Sequence, residues 1–401
     1  MRRVLVVSSV GLLGLFASQA RAGGFAVSDQ DASASGRSST GVGVSGAASA
    51  LHFNPAGLGA VKGLTMTGGA TLLMPSATAS DPASGQSTST LSAVRVPPHV
   101  YAAWGTGRIT VGAGFNAPFG GGLTWPAGWA GRTELTQLQL QVLAGHLGGA
   151  WRINDLFSVG ANVTLYGASV SLERTIDFVE TQGDARLGGS GLGVGAQAGV
   201  TFTPTDRVQL GLMGRLPAPV TLTGRAAFSN VPASFGATLP DQAITSKLTL
   251  PAKLALGGDF QLPWFRLFAD AEYTFWSSFQ SFDVDFEQAQ TPDVRQPRNW
   301  QNAPTFRVGA EREFGAVVVR LGALVDLAAS PADTLSPSMP DSTRLGGSAG
   351  VGYDFGPMRA DLAYQFVAFL PRTSTGDAFP ASYNASAHVL ALSVSATAFR
   401  N

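Results

Sequence analysis

Two short patterns have the form of reactive motifs. Gly346 to Gly350, "GGSAG", fits the G-x-S-x-G turn that exposes a hydrolase serine, and Gly41 to Gly46, "GVGVSG", fits the G-x-G-x-x-G loop that cradles a pyrophosphate. Both motifs work only at a strand-to-helix turn. The first lies in an alternating segment and the second in a run without period, and 50 glycines in 401 residues produce such matches by chance. His52, His99, His146 and His388 show no metal-ligand spacing, and the lack of cysteine removes thiol nucleophiles, thiolate metal sites and disulfides. No enzyme, metal or cofactor is expected. What remains is charge: Arg266, Asp270, Glu272, Arg307, Glu311, Arg320, Asp326, Arg359 and Asp361 occupy alternate positions in apolar segments. Mutual pairing is the default for charges sharing a narrow space, and the alternative is that an arginine such as Arg320 grips a substrate carboxylate through its planar fork.

Those charges sit on segments with a period of two. In "FSVGANVTL", Phe157, Val159, Ala161, Val163 and Leu165 share one face; in "FRLFADAEYTF", Phe265, Leu267, Ala269, Ala271, Tyr273 and Phe275 oppose Arg266, Asp270 and Glu272. Each apolar face has the length of a tilted strand crossing hydrocarbon. Mean hydropathy is +0.16 with only 13% charged residues, yet no apolar run after the N-terminus approaches the length of a membrane helix. One strand face toward lipid and the other toward a lumen gives this dilution.

The N-terminus carries a basic start, an apolar run from Val4 to Phe16, and small-residue cleavage sites after Ala20 or Ala22, so residues 1–22 are expected to be a secretory signal peptide. Removing Arg2, Arg3 and Arg21 leaves the chain weakly acidic, with no electrostatic case for nucleic acid. The spacing predicts strands near 63–75, 97–105, 108–117, 134–152, 156–175, 188–203, 207–226, 245–261, 264–286, 302–313, 316–329, 343–355, 358–371 and 385–399. Tight links such as "GTG", "RIND" and "EFG" alternate with long Pro-, Ser- and Gly-rich ones. The fold class is therefore all-β: a 14-stranded antiparallel transmembrane β-barrel over residues 63–401, with both chain ends on the short-turn side and no unpaired edge in lipid. Near Gly167 the apolar parity changes, so that Val170 and Leu172 oppose the earlier face, which reads as a bulge or as strand beyond the bilayer. Phe399 is out of phase with Leu390, Leu392, Val394 and Ala396.

Residues 23–62 precede the first strand and follow no period. Small residues dominate, but Phe25, Val27, Val42, Val44, Leu51 and Phe53 call for burial, and the lumen is the concave surface available. This segment is expected to be a hatch inside the barrel, with "FNPAGL" giving a fixed turn at Asn54, Pro55 and Ala56.

The stretch "GGFAVSDQDASASGRSSTGVGVSGAASALHFNPAGL" resembles the N-terminal hatch of the FadL family of outer-membrane transporters for long-chain fatty acids and other hydrophobic compounds; "FNAPFG", "YTFWSSF" and "MPDSTR" resemble later segments of that family. The resemblance implies a monomeric 14-stranded barrel in the outer membrane of a bacterium. It also implies a kinked third strand near "VGAGFNAPFG", with Asn116 and Pro118 at the kink, opening a lateral gap, and a pocket lined by Phe25. Capture is expected at outward loops, where Phe119, Leu123, Trp125, Trp129, Phe228, Phe235 and Leu239 would form an exposed apolar patch; Trp125 and Trp129 alternatively belong to an interfacial aromatic belt. The expected partners are a hydrophobic small molecule and membrane lipid. A passive channel for small polar solutes and a structural or adhesive surface barrel stay open as alternatives.

Overall fold

A computed structural model describes residues 24–376 and 379–399, so the expected signal peptide lies outside the described residues. Fourteen antiparallel strands close into one ring. They are β1 (Gly63–Ser80), β2 (Pro98–Thr106), β3 (Ile109–Thr124), β4 (Gln137–Arg152), β5 (Phe157–Asp177), β6 (Gln182–Thr205) and β7 (Val208–Arg215 with Ala218–Ser229). The second half comprises β8 (Gln242–Leu250 with Lys253–Gln261), β9 (Arg266–Thr274), β10 (Ala303–Phe314), β11 (Val317–Asp326), β12 (Arg344–Asp354), β13 (Met358–Thr373) and β14 (Ser382–Ala398). Ladder pairing of β1 with β14, from Leu64–Ala398 to Ser80–Ser382, shuts the ring and leaves neither strand as a free edge in hydrocarbon.

The tight turns all lie at one end. Gly315 (φ 63°) and Gly356 (φ 90°) take left-handed positions there that a side chain would strain. Two strands differ from expectation by being broken: Pro217 interrupts β7 and Pro251 interrupts β8, because proline has no N–H for the ladder. The ninth strand is shorter than expected. It ends at Thr274, and the chain then turns inward through the 3-10 segment Trp276–Ser278, burying Trp276 completely.

Alternation holds along the ring. On β9, Phe268, Asp270 and Glu272 are buried inside while Tyr273 is exposed outside; Leu321, Leu345, Leu362 and Leu392 likewise face outward. The expected phase slip near Gly167 is corrected. β5 keeps an unbroken register with both neighbours from Ser158 to Glu173, and Ser158, Asn162, Thr164, Tyr166, Ala168 and Leu172 all point inward. What changes is the lumen, which is polar below Tyr166 and apolar above it. Alternation identifies a lipid face only where the interior is wet.

Residues 24–62 fill the polar half. They form two one-turn helices, α1 (Ala32–Ser35) and α2 (Ala50–Phe53), and a 3-10 turn at Pro55–Ala60. Asp31 Oδ1 accepts from Ser33 N at 2.8 Å and caps α1, and Asn54 Oδ1 accepts from Ala56 N at 3.1 Å, with Pro55 pre-set at the first position of the turn. Hydrogen bonds reach walls all round the ring. Ala32 N donates to Ser393 Oγ of β14 at 2.9 Å, Ser38 N to Ser348 Oγ of β12 at 2.8 Å, and Gly41 N to Asp270 Oδ2 of β9 at 2.7 Å. Opposite, Asn162 of β5 and Gln197 of β6 both donate to Leu51 O, at 2.6 and 2.8 Å.

The strand glycines explain how a backbone fits so close to the wall. A Cβ on Gly160 would strike Pro55, one on Gly199 would strike Asn54, one on Gly211 would strike Val42, and one on Gly322 would strike Arg37. The glycine-rich composition thus serves close approach between plug and wall.

Candidate functional site: an apolar chamber beside a gap in the wall

Above the plug, inward residues of β4 to β8 are apolar: Leu140, Val142, Ala144, Tyr166, Val220, Leu222, Leu248 and Leu250 form one buried cluster. Phe25, at the start of the described chain, packs into it. Its ring centroid lies 4.8 Å from Trp276 and 5.6 Å from Phe279, both edge-on as aromatic quadrupoles favour, and 5.9 Å from the tilted rings of Phe119 and Trp300. Two adjoining cavities of about 460 and 190 Å³ lie here, sharing Ala26, Pro75, Gly121, Leu123 and Leu140 in their linings. Phe25 lines the smaller and Phe119 the larger. The larger one ends on a polar floor, where Glu272 pairs with Arg307 at 2.7 Å and Lys253 at 3.0 Å, and Arg307 Nη2 donates to Ser28 Oγ at 3.0 Å.

One side of this chamber has an incomplete wall. β3 pairs with β2 only from Thr106–Ile109 to Val100–Phe115, whereas its pairing with β4 continues to Thr124–Gln137. Past Val100 the β2 side turns away to β1, with reciprocal Leu73–Arg95 backbone bonds of 2.8 and 2.9 Å, and meets β3 again only where Leu91 N donates to Thr124 O at 2.8 Å. Between those points, among the described residues, no ladder joins the two strands. The β3–β4 register shifts between Asn116 and Phe119, a bulge centred on Ala117 and Pro118. Pro118 therefore sits within β3, at the bulge.

The plug occupies the vacated edge. Val27 N donates to Pro118 O at 2.9 Å and Gly120 N to Phe25 O at 3.0 Å, so three residues at its start supply one rung of the missing ladder. A polar knot anchors the bulge just below. Asn116 is fully buried; its Nδ2 donates to His52 Nδ1 at 2.9 Å and to Tyr101 Oη at 2.8 Å, and its Oδ1 accepts from His146 Nε2 at 3.0 Å. Burial pushes His52 well below its ordinary pKa, so its ring is neutral and Nδ1 is free to accept. Plug, β2, β3 and β4 meet at this one amide.

Several sequence expectations are corrected. The aromatic loop residues do not form an exposed patch: Trp125 (2% exposed) and Trp129 (4%) stack at 4.3 Å inside a loop core, with Leu123, Phe228 and Phe286 packed against it. Neither tryptophan is in an interfacial belt, because both bury beneath loops that fold over the barrel mouth. Phe119 is buried in the chamber, Leu239 is half-buried, and only Phe235 keeps substantial exposure, at 43%. Trp125, Trp129, Phe228, Phe235 and Leu239 line neither chamber cavity. Arg320 is not free to grip a ligand. It is buried at 1% exposure under the plug, bound to Glu311 at 2.6 Å and Asp361 at 2.8 Å, and lies outside both cavities. Sequence reasoning missed Trp276, Phe279, Trp300 and Tyr166 as chamber walls, and it weighed His52 and His146 only for metal binding or hydrolase chemistry. A signal for the histidines existed: a lone His or Asn at an inward position of an apolar strand needs a partner.

Asn54 does what its turn implies and more, since Nδ2 also donates to Val42 O at 2.9 Å, tying two parts of the plug together. Asn54→Ala is expected to cost about 1 kcal/mol from the lost cap and to slow uptake of a hydrophobic probe while the barrel still assembles; normal uptake by the folded variant removes this turn from the transport step.

The family profile described as outer membrane protein transport protein (OMPP1/FadL/TodX) matches residues 13–399. The chain belongs to this family. A putative outer membrane protein of Neisseria meningitidis serogroup B is 25% identical over 377 residues, covering 80% of each chain. Outer membrane protein P1 of Haemophilus influenzae is 24% identical over 65% of this chain and 63% of its own. Among solved structures, a FadL homologue of Pseudomonas aeruginosa superposes with a TM-score of 0.85 at 20% identity, over 94% of this chain and 100% of that one. The P. putida toluene transporter TodX gives 0.79 at 20% identity, over 92% and 99%. As a member of the FadL/TodX family this is an outer-membrane transporter of hydrophobic compounds and not an enzyme.

Proposed function

We propose that this FadL/TodX-family barrel takes up long-chain fatty acids or other lipophilic molecules without an energy source, as a single chain, and releases them sideways through the gap between β2 and β3. The observation that carries the reading is that the chamber borders a stretch of wall where the β2–β3 ladder is missing and the plug supplies one rung to β3. A molecule entering through the loops rests against Leu140, Phe119 and Leu123, then leaves when Phe25 to Val27 let go of Pro118 and Gly120. Moving an acyl chain through water would expose each methylene at about 0.8 kcal/mol, so an apolar chamber leading straight to lipid avoids a barrier that a wet pore imposes.

Gly121 provides the test. It lines both cavities, and a Cβ added there meets nothing within 4 Å, so Gly121→Trp is expected to place its ring in the cavity and obstruct the exit. Uptake of a hydrophobic probe is expected to fall by about tenfold, the effect of roughly 1.4 kcal/mol on the barrier, with heat-modifiable mobility on gels unchanged. Unimpaired uptake by that variant overturns the lateral route, and steady large conductance of the unmodified protein in planar bilayers favours a polar-solute channel instead.

A further inference from the structure

Beneath the chamber floor, the first residues of the plug cover a recess of about 20 Å³ that shares Ala26, Ser28, Lys253 and Glu272 with the larger cavity. A single water-sized occupant needs about 10–15 Å³, so the recess takes one small species and has no room for a carboxylate carrying a chain. Arg215, in the last position before β7 breaks, lines it. This side chain is only 8% exposed, and among the described residues it makes no hydrogen bond and no ion pair; its Nε is buried without a partner. The guanidinium lies over the ring of Phe119, 5.0 Å from the centroid, a contact that attracts a cation without neutralising it. Glu272 is the carboxylate that lines the recess, and it is already shared between Lys253 at 3.0 Å and Arg307 at 2.7 Å. Three positive charges therefore meet one negative charge there. Asp29 does not line the recess, and its carboxylate accepts from Ser39 Oγ at 3.0 Å.

Neutral donors share the same space. His52 Nδ1 accepts from Asn116, so the ring carries its proton on Nε2, which has no hydrogen-bond partner among the described residues while the ring lines the recess. Ser28 Oγ accepts from Arg307 Nη2 at 3.0 Å and keeps its own proton for donation. A buried cation without a counter-ion is costly, and a water molecule would leave the charge of Arg215 uncompensated. A guanidinium, an imidazole N–H and a hydroxyl around a space of this size suit a monatomic anion. We propose that the recess binds a halide ion, chloride in ordinary buffers, held by Arg215, Lys253, the Nε2 proton of His52 and the hydroxyl of Ser28. His52 and Ser28 belong to the plug, Arg215 and Lys253 to the wall. The ion thus fastens one to the other directly beside Val27, whose N–H makes the rung to Pro118.

The test compares salts at equal ionic strength, so that general screening is the same in each. Urea unfolding of the whole protein in detergent is followed in sodium gluconate, acetate, chloride and bromide. The unfolding equilibrium constant is expected to be about tenfold lower in chloride and in bromide than in gluconate or acetate, the effect of free halide at about ten times its Kd. Limited proteolysis is expected to cut the plug faster in gluconate than in chloride. Arg215→Met removes the difference between the salts, and Arg215→Lys keeps part of it. Crystals of the unmodified protein grown in bromide are expected to show an anomalous peak in the recess, in contact with Arg215, a check that needs no variant. Equal stability of the unmodified protein in all four salts overturns the proposal, as does a halide effect undiminished in Arg215→Met. Stabilisation by acetate but not by chloride also overturns it, and gives the recess to a carboxylate head group instead.

Discussion

Replacing Asn116 by leucine is expected to turn a quiet barrel into one that conducts ions in planar bilayers, and to lower uptake of a hydrophobic probe by about tenfold or more. Leucine has nearly the same volume but neither donates nor accepts. In the closed arrangement it would leave His52 Nδ1, Tyr101 Oη and the His146 Nε2 proton buried and unpaired. Each orphaned group costs about 1–3 kcal/mol while it stays dry, and each recovers a partner from water once the plug shifts. The closed state therefore loses several kcal/mol relative to a displaced one, and every 1.4 kcal/mol moves that equilibrium about tenfold. Uptake falls because the bulge that shapes the exit depends on the same amide. A double-mutant cycle with His52→Leu measures the link directly: non-additive stabilities are expected, since the two side chains touch. A silent Asn116→Leu barrel with normal uptake would show that this knot has no part in holding the plug.

The largest stability effect is expected at Arg320. It holds Glu311 and Asp361 from opposite sides, beneath Gly36 of the plug, with Arg37 contributing to Glu311 at 3.9 Å and Arg359 to Asp361 at 3.4 Å. Arg320→Met leaves two carboxylates in a dry site with weaker partners, and removal of one member of a buried pair costs about 3–5 kcal/mol. Urea unfolding in detergent measures this. Any preference in uptake between a carboxylic acid and its neutral analogue should be unchanged, since Arg320 lines neither chamber cavity. A loss of that preference without a loss of stability would return Arg320 to ligand binding.

The fold was legible because the bilayer imposes a simple rule. Outward positions must be apolar, so Ala269, Ala271 and Tyr273 announce a lipid face whatever lies behind them, and alternating short and long links give the strand count. The inner face obeys no single rule, and the sequence reading failed there. Leu172 and Val170 look like lipid-facing residues because the upper lumen is as apolar as the membrane. Trp125 and Trp129 look like surface residues because nothing local says that the loops fold back over them. The bulge at Ala117 and Pro118 lies where the family resemblance implied a kink, and proline's missing N–H suits that position. Its consequence, that Phe25 to Val27 take the place of β2 beside β3, joins residues more than ninety positions apart in sequence and has no local signature.

Ser393 of β14 accepts from Ala32 N at 2.9 Å and bonds His99 at 2.7 Å, so the plug finds part of its seat on the strand that closes the ring. A nascent chain lacking β14 has nowhere to complete that docking. A chain cut short before Ser393 is expected to form an open sheet with a loose plug, which limited proteolysis in detergent checks.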